Sequence, residues 1–350
     1  MDFWKYSRQA TLAHIGQEGQ EKIEGGNVCV VGLGGLGSNV AMSLAAAGVG
    51  HIRIVDHDVV SLPDLHRQLL YRPQDVGFAK VDAAKRRLTE LNPDVNVDAV
   101  CAHVGSSYTP PLSGTDVIVD CLDNFAARYR LHRAAAAAGL PVVHGSALEY
   151  YGTASSFLPS GSPCFECLYP SMSDAGAPTC AQVGVLPQTV LAVSSIQAAE
   201  TLGFLTGKPN LIGKLLFIDF ADMTFDRVTL SENPECPRKK GLVLPDEAYE
   251  SEPEYACSRD GRETYALYID NPPIFEDVLA RAAKRFQTCS RKGENALMFS
   301  EGGSDYFYTS AGYLLSMVKP TDKTGLADPR SDILKIAKEI SRVTNQMVEN

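Results

Sequence analysis

Long apolar runs are missing from this sequence. No stretch approaches 18 uncharged apolar residues, which removes membrane-spanning helices from consideration. The opening MDFWKYSRQA likewise lacks the apolar core of a signal peptide, so a cytoplasmic location is the expectation. Net positive charge is missing too: 32 Lys and Arg stand against 42 Asp and Glu, a balance of −10. That supplies neither the basic field of a non-specific nucleic-acid binder nor one that docks a protein on an anionic membrane. An anionic substrate has to be met by a few placed cations. A disulfide framework finds little support, because nine cysteines (29, 101, 121, 164, 167, 180, 236, 257 and 289) are an odd number without a secretory signal. They read as thiols, metal ligands or nucleophiles. Repeats and low-complexity tracts are absent. What is present, 350 residues at 45% hydrophobic content, excludes wholesale disorder and suffices for one large α/β domain or an ordinary domain with an appended module.

The clearest local pattern is the β-branched run Asn27-Val28-Cys29-Val30-Val31, which meets Gly32-Leu33-Gly34-Gly35-Leu36-Gly37 and then an Ala-rich helical stretch over 39–47. A second strand, 51–55, ends on Asp56 and Asp58 and completes a βαβ unit. A helix over 80–91, stopped by Asn92-Pro93, leads to a strand at 95–100. Strand 117–120 runs through Cys121-Leu122-Asp123-Asn124 into helix 126–138, and strand 142–145 follows. Such alternation predicts a Rossmann-like, doubly wound, mainly parallel sheet with its ligand sites at the carboxyl ends of the strands. From residue 150 the pattern changes to strand 152–158, a Pro- and Cys-bearing loop at about 163–180, helix 189–206 and strands 214–220 and 226–230. Residues 233–241 read as a boundary and 244–253 as an acidic linker. The last part, 245–350, belongs to a tail that carries 11 of the chain's 28 aromatics and should therefore fold. It reads as a small α+β module with strands near 264–269, 296–299 and 306–318 and helices at 274–286 and 332–343.

Gly32, Gly34 and Gly37 satisfy G-x-G-x-x-G directly after a strand and at a helix start, with Gly35 inside the turn. Glycines there let backbone N–H groups and the helix dipole approach a phosphate, and Asp56 stands where an acid accepts hydrogen bonds from ribose hydroxyls. A turn that needs glycine only for packing remains the competing explanation. The pattern says adenine nucleotide without separating NAD from ATP. Charges around it make that separation: Asp56 and Asp58, Arg67-Gln68, Lys80 at a helix start, and Asp123-Asn124 after a strand. Nucleotidyl transfer needs cations on the phosphates and a carboxylate for Mg²⁺, whereas hydride transfer needs a nicotinamide pocket. The charges suit transfer.

That set, with Tyr6-Ser7-Arg8-Gln9 upstream, resembles the family of ThiF, MoeB and HesA, bacterial relatives of the ubiquitin-activating enzymes, over about residues 4–240. The resemblance implies a homodimer that uses Mg-ATP to adenylylate the C-terminal glycine carboxylate of a small ubiquitin-like sulfur-carrier protein. Carried over residue by residue, Gly32, Gly34, Gly35 and Gly37 would form the nucleotide turn and Asp56 would take the ribose. Arg67 and Lys80 would bind the phosphates, Asp123 would hold Mg²⁺, and Arg8 would reach into the partner subunit's site. Asp58, Gln68 and Asn124 complete the nucleotide-binding set. An adenylylating domain over 1–244 follows, its nucleotide half about 1–150 and its cysteine-loop and carrier-binding half about 151–244. One departure stands out: Pro63-Asp64 occupies a place where the family commonly has Ser-Asn, which sets a negative charge near the triphosphate unless Asp64 turns away or helps hold metal.

Cys164-Phe165-Glu166-Cys167 is a C-x₂-C pair that can fill two corners of a Zn²⁺ tetrahedron. The family completes that site with a second C-x₂-C; Cys236 matches its first cysteine, and Lys239 replaces its last. Either a fourth ligand comes from elsewhere, Cys257 being the nearest candidate, or the metal has been lost. Cys180 heads the helix at 189–206, a setting that can lower a thiol's pKa. In ThiF-like enzymes a cysteine at this point can link covalently to the carrier, while in MoeB-like ones adenylylation suffices. Competing readings are a family member that adenylylates a small-molecule or tRNA-bound carboxylate, an NAD-dependent oxidoreductase that would leave Arg67, Lys80 and Asp123 without a task, and a non-catalytic nucleotide-binding scaffold.

Overall fold

The computed structural model describes residues 4–104, 111–160, 163–174, 183–242, 253–255, 262–269, 271–318 and 329–341. Two short N-terminal helices, α1 (Ser7–Ala10) and α2 (Gly16–Gly25), precede the first strand. β1 (Asn27–Val31), α3 (Gly35–Ala47) and β2 (His51–Asp56) then form the βαβ unit. Next come α4 (Lys80–Leu91), β3 (Asn96–Cys101), β4 (Val117–Asp120), α5 (Phe125–Ala137), β5 (Val142–Leu148) and β6 (Tyr151–Phe157). A four-residue helix α6 (Phe165–Leu168), the long α7 (Pro187–Thr206), β7 (Lys214–Asp219) and β8 (Thr224–Thr229) complete this part.

The eight strands form one sheet in the order β3-β2-β1-β4-β5-β6-β7-β8. Pairing is parallel from β3 through β5 and antiparallel from β5 to β8, which is the mainly parallel, doubly wound sheet expected. The chain moves outward from β1 to β3 and then returns to place β4 on the other side of β1. The crevice between the carboxyl ends of β1 and β4 is therefore the topological switch point, where open α/β sheets bind ligands. Buried Val28, Val30, Leu44, Ile52, Ile54 and Val119 fill the face covered by α3, α4 and α7, while Cys29, Val31, Ile118 and Leu131 fill the face under α5. Near-continuous apolar strands are what a parallel sheet covered on both sides requires.

Beyond residue 252, β9 (Glu254–Tyr255), β10 (Glu263–Tyr268), α8 (Phe275–Arg285), β11 (Thr288–Lys292), β12 (Ala296–Glu301), β13 (Ser304–Thr309), β14 (Tyr313–Val318) and α9 (Pro329–Ser341) build a second, antiparallel sheet with two helices. Its order is β11-β12-β13-β14-β10-β9. Alternation along these strands separates two faces. Leu267, Leu297, Phe299, Tyr306, Tyr308 and Leu314 pack under α8 and α9. Ala266, Ala296, Phe307, Tyr313, Leu315 and Met317 point the other way and join the core of the first sheet's α3/α4 side. The tail's aromatics are thus buried both within the tail and against the α3/α4 side of the first sheet.

One expectation needs correction: the single stretch at 306–318 is two strands broken at Ser310–Gly312. The short elements α1, α2, α6, β9 and β11 were not anticipated.

Candidate active site

The glycines of the turn divide by what surrounds them. A Cβ on Gly32 would lie 2.6 Å from the Cys121 carbonyl oxygen and one on Gly37 only 1.7 Å from that of Gly32. These two are required by packing of the turn on the end of β4 and by closure of α3 on β1. Gly34 differs, since a Cβ there would meet nothing within 4 Å. It occupies the N-cap of α3, where no side chain caps the exposed N–H groups. An uncapped helix N-terminus with open space beside it is the kind of place where backbone N–H groups can receive an anion. Packing accounts for Gly32 and Gly37 but not for Gly34.

Asp56 ties β2 to this turn, accepting the Leu33 N–H at 2.6 Å on one oxygen and the Asp58 N–H at 2.7 Å on the other. Each carboxylate oxygen keeps a further acceptor position for a ribose hydroxyl. Lys80, 6% exposed, places Nζ 2.8 Å from Asp58 Oδ2, and its N–H donates to the Asp58 carbonyl. Arg67 lies along the glycine turn, its Cδ 3.7 Å from the Cβ position of Gly35 and its carbonyl accepting from Asn39 Nδ2 at 2.8 Å. Gln68 is buried with Oε1 unpartnered among the described residues, as is Asn39 Oδ1. Asn39 escaped the sequence reading, although a polar residue two positions after Gly37 in an Ala-rich helix was the available signal.

Asp64, the departure noted in the sequence, is engaged within its own turn. Its carboxylate accepts from Ser61 N at 3.0 Å and Ser61 Oγ at 2.7 Å as the cap of a short 3₁₀ turn, and pairs with Arg67 Nη2 at 3.1 Å. The segment after β4 is equally ordered. Asp120 Oδ1 accepts the Leu122 N–H, the Arg128 guanidinium donates to the Leu122 carbonyl, and Asn124 caps α5 through the Ala127 N–H at 2.8 Å. Asp174, from the cysteine loop, accepts from Phe125 N and Ala126 N at 2.8 and 3.0 Å. Asp123 between them is exposed. With β2, β1 and β4 side by side, neighbours spaced about 4.8 Å, Asp56, the glycine turn and Asp123 share one edge of the sheet.

Arg8 does not join them within its own chain. Its neighbour Gln9 donates to the Ala47 carbonyl at 3.0 Å, at the far end of α3, which puts it about 20 Å from the glycine turn. Cys180 and Cys257 lie outside the described residues.

Cys164, Cys167 and Cys236 converge as one buried cluster, with Sγ separations of 3.6 Å for 164–167 and 3.5 Å for 164–236. Tetrahedral Zn–S bonds of about 2.3 Å give edges of about 3.8 Å, so the three thiols form one face of such a site. Burial pushes the Cys164 thiol up to about 12. Burial also acts to raise Cys167, yet backbone hydrogen bonds involving Asn233 and Cys164 bring it down to about 7. Lys239 turns outward to Glu232 at 2.6 Å. No fourth His, Cys, Asp or Glu joins the cluster among the described residues. A second group was not anticipated: His132 Nε2 and His144 Nδ1 lie 3.1 and 2.8 Å from the same oxygen of buried Asp120. Burial alone would raise this carboxyl, but Arg128 and the two imidazoles hold it well below the usual carboxylate range. Burial lowers His144 to about 4. With a guanidinium alongside, the group is a hydrogen-bonded support for the Asp120–Leu122 turn rather than a cation site.

The ThiF family model matches residues 6–238. The SAMP-activating enzyme E1 of Haloferax volcanii is 41% identical over 236 residues, covering 67% of this chain and 87% of the relative. The sulfur carrier protein adenylyltransferase of Thermus thermophilus is 40% identical over 242 residues, covering 67% and 89%. Among solved structures, that of E. coli MccB with ATP superposes with a TM-score of 0.59 at 21% identity, covering 66% of this chain and 73% of that one, and shares the fold. The chain therefore belongs to the ThiF family and is an adenylyltransferase of the ThiF and MoeB type.

Proposed function

We propose that this protein uses Mg-ATP to adenylylate the C-terminal glycine carboxylate of a small ubiquitin-like sulfur-carrier protein. The observation that carries the reading is the uncapped α3 N-terminus at Gly34, open where a Cβ would otherwise stand, with Arg67 laid along the same turn. The phosphates would lie on these N–H groups and the ribose hydroxyls on Asp56. A carrier carboxylate oxygen attacks the α-phosphorus, the bond to the bridging oxygen breaks, and pyrophosphate leaves with its electron pair. Arg67 and Lys80 stabilise the charge that develops on that leaving group, once each exchanges part of its carboxylate pairing for phosphate. Gln68 and Asn124 border the same turns. Asp123 is the residue to hold Mg²⁺, which when bound would neutralise phosphate charge.

The names of the two relatives, a SAMP-activating enzyme and a sulfur carrier adenylyltransferase, support a protein substrate. The position of Arg8 at the far end of α3 supports a homodimer in which it serves the partner's site. Three converged thiols fit three corners of a Zn²⁺ site. No helix among the described residues is long and apolar enough to cross a membrane, in keeping with a cytoplasmic role. A non-catalytic scaffold would draw on Asp64 and on Lys239, and the pairing of Asp64 with Arg67 weakens the first of these. The test is ATP–pyrophosphate exchange with each small glycine-ending protein encoded by the same genome. Exchange that depends on one of them is expected; exchange with none, or with a small-molecule carboxylate alone, contradicts the reading.

A further inference from the structure

The six-stranded sheet beyond residue 252 is built against the nucleotide half at the turn that carries Asp56 and Asp58. His57, between these two acids, is held at both its ring and its backbone by residues more than 200 positions away. Tyr268 Oη lies 2.6 Å from His57 Nε2, and Thr309 Oγ1 donates to the His57 carbonyl at 3.0 Å. Tyr268 and Tyr313 are cross-strand partners on β10 and β14, and their rings flank the imidazole with centroids at 5.3 and 4.8 Å. His57 Nδ1 also lies 3.4 Å from His103 Nδ1, so the ring has a neighbour at each nitrogen.

A second clamp acts on the helix that begins with Lys80. Asp82 accepts from Glu294 N at 2.8 Å, Asn295 N at 2.9 Å and Asn295 Nδ2 at 2.6 Å. Gly293, at φ +78°, approaches so closely that a Cβ would lie 2.5 Å from Asp82 Oδ2. The β11–β12 turn is shaped to fit this carboxylate. His57 and the helix that begins with Lys80 are thus both fixed from the same sheet.

We propose that this C-terminal sheet is a working part of the nucleotide site, in which Tyr268 and Thr309 are positioning residues that act through His57 to set Asp56 and Asp58 for ATP. The inference rests on the nucleotide reading above and assigns a role to a segment beyond the family match, which ends at residue 238. It differs from simple packing in one respect. Packing needs the rings and methyl groups, whereas positioning needs the two hydroxyls.

The experiment uses the full-length protein with isothermal titration of ATP, thermal unfolding, and ATP–pyrophosphate exchange with a carrier. Tyr268→Phe and Thr309→Val keep ring and branch but remove the hydroxyls. Each is expected to weaken ATP binding about five-fold, the usual effect of one hydrogen bond, and the pair up to about twenty-five-fold, less if the two are coupled through His57. The KM for ATP should rise in parallel while the KM for the carrier stays unchanged. Thr309→Ser should restore wild-type affinity. Tyr265→Phe, on the same strand but on the face that packs with the tail's own helices, should leave it unchanged. ATP affinity within two-fold of wild type in the double variant, or an equal loss in Tyr265→Phe, would overturn the inference. A wild-type protein that binds no ATP would instead overturn the nucleotide reading beneath it.

Discussion

Gly34 and Gly37 sit three residues apart in one motif, yet the structure gives their alanine variants different outcomes. At Gly37 a methyl would be 1.7 Å from the Gly32 carbonyl oxygen, and both atoms are backbone-fixed. Relief requires α3 to move off β1, so Gly37→Ala should destabilise the fold by roughly 3 kcal/mol or more, the upper range for overpacking. At Gly34 the methyl meets no protein atom within 4 Å, and only the backbone, at φ −69° and ψ −147°, disfavours a side chain. Stability should therefore fall by about 1–3 kcal/mol through backbone strain, with no clash to relieve. The methyl would occupy the space into which phosphate oxygens must come to reach the α3 N–H groups. Losing one or two charge-assisted hydrogen bonds, each about 1.5–3 kcal/mol, implies ATP binding weaker by at least roughly ten-fold and up to about twenty-five-thousand-fold. Urea unfolding and isothermal titration with ATP on both variants separate the two effects. Wild-type ATP affinity in folded Gly34→Ala would refute the phosphate assignment of this turn, whatever the fate of Gly37→Ala.

Asp123→Asn should abolish carrier-dependent exchange and leave the melting temperature unchanged, because the side chain is exposed; near-normal exchange removes Asp123 from the site. Arg8→Ala and Lys80→Ala should each be inactive as homodimers and recover activity when mixed, each mixed dimer holding one intact composite site, and no recovery would place Arg8 in its own subunit's chemistry. Purified protein should hold at most one zinc per chain by elemental analysis, lost in Cys164→Ser; its absence from protein never exposed to chelator would leave three buried thiols. The pH dependence of stability has a definite sign at His144, whose ordinary value of 6.5 falls to about 4 on burial. Between these values the unfolded chain binds a proton that the folded chain does not. Stability should therefore rise as the pH rises from about 4 to 6.5, by up to about 1.4 kcal/mol per unit from this residue, and His144→Gln should flatten the curve.

The elements nearest the nucleotide were legible because each carried a local signal. A β-branched run, spaced glycines and an Ala-rich stretch specified β1, the turn and α3, and Asn92-Pro93 stopped α4 at Leu91. Helix α2 was not legible, since GQEGQEKIEG has three glycines and only one apolar side chain to mark a buried face. β11, TCSRK, is a polar edge strand without alternation. Asp64 was left open by the sequence reading. Ser61-Leu62-Pro63-Asp64 carries the spacing of a capping box with proline inside the turn, and that local preference decides where the carboxylate goes. The link between Tyr268 and His57 joins residues 211 positions apart and depends on how two sheets pack, which no local pattern encodes. For the same reason Arg8 could be named by resemblance, but only its anchorage beside Ala47 tells how far it stands from its own chain's phosphate turn.

The most direct test of the central claim is the mass of the carrier itself. After incubation of the protein with Mg-ATP and the carrier that supports exchange, intact-mass spectrometry should find the carrier one adenylyl group heavier. The added group should be removable by hydroxylamine to leave a C-terminal hydroxamate, and should be lost altogether when the terminal glycine is deleted. A carrier of unchanged mass, or an adenylyl group that survives hydroxylamine on a side chain, would contradict the account.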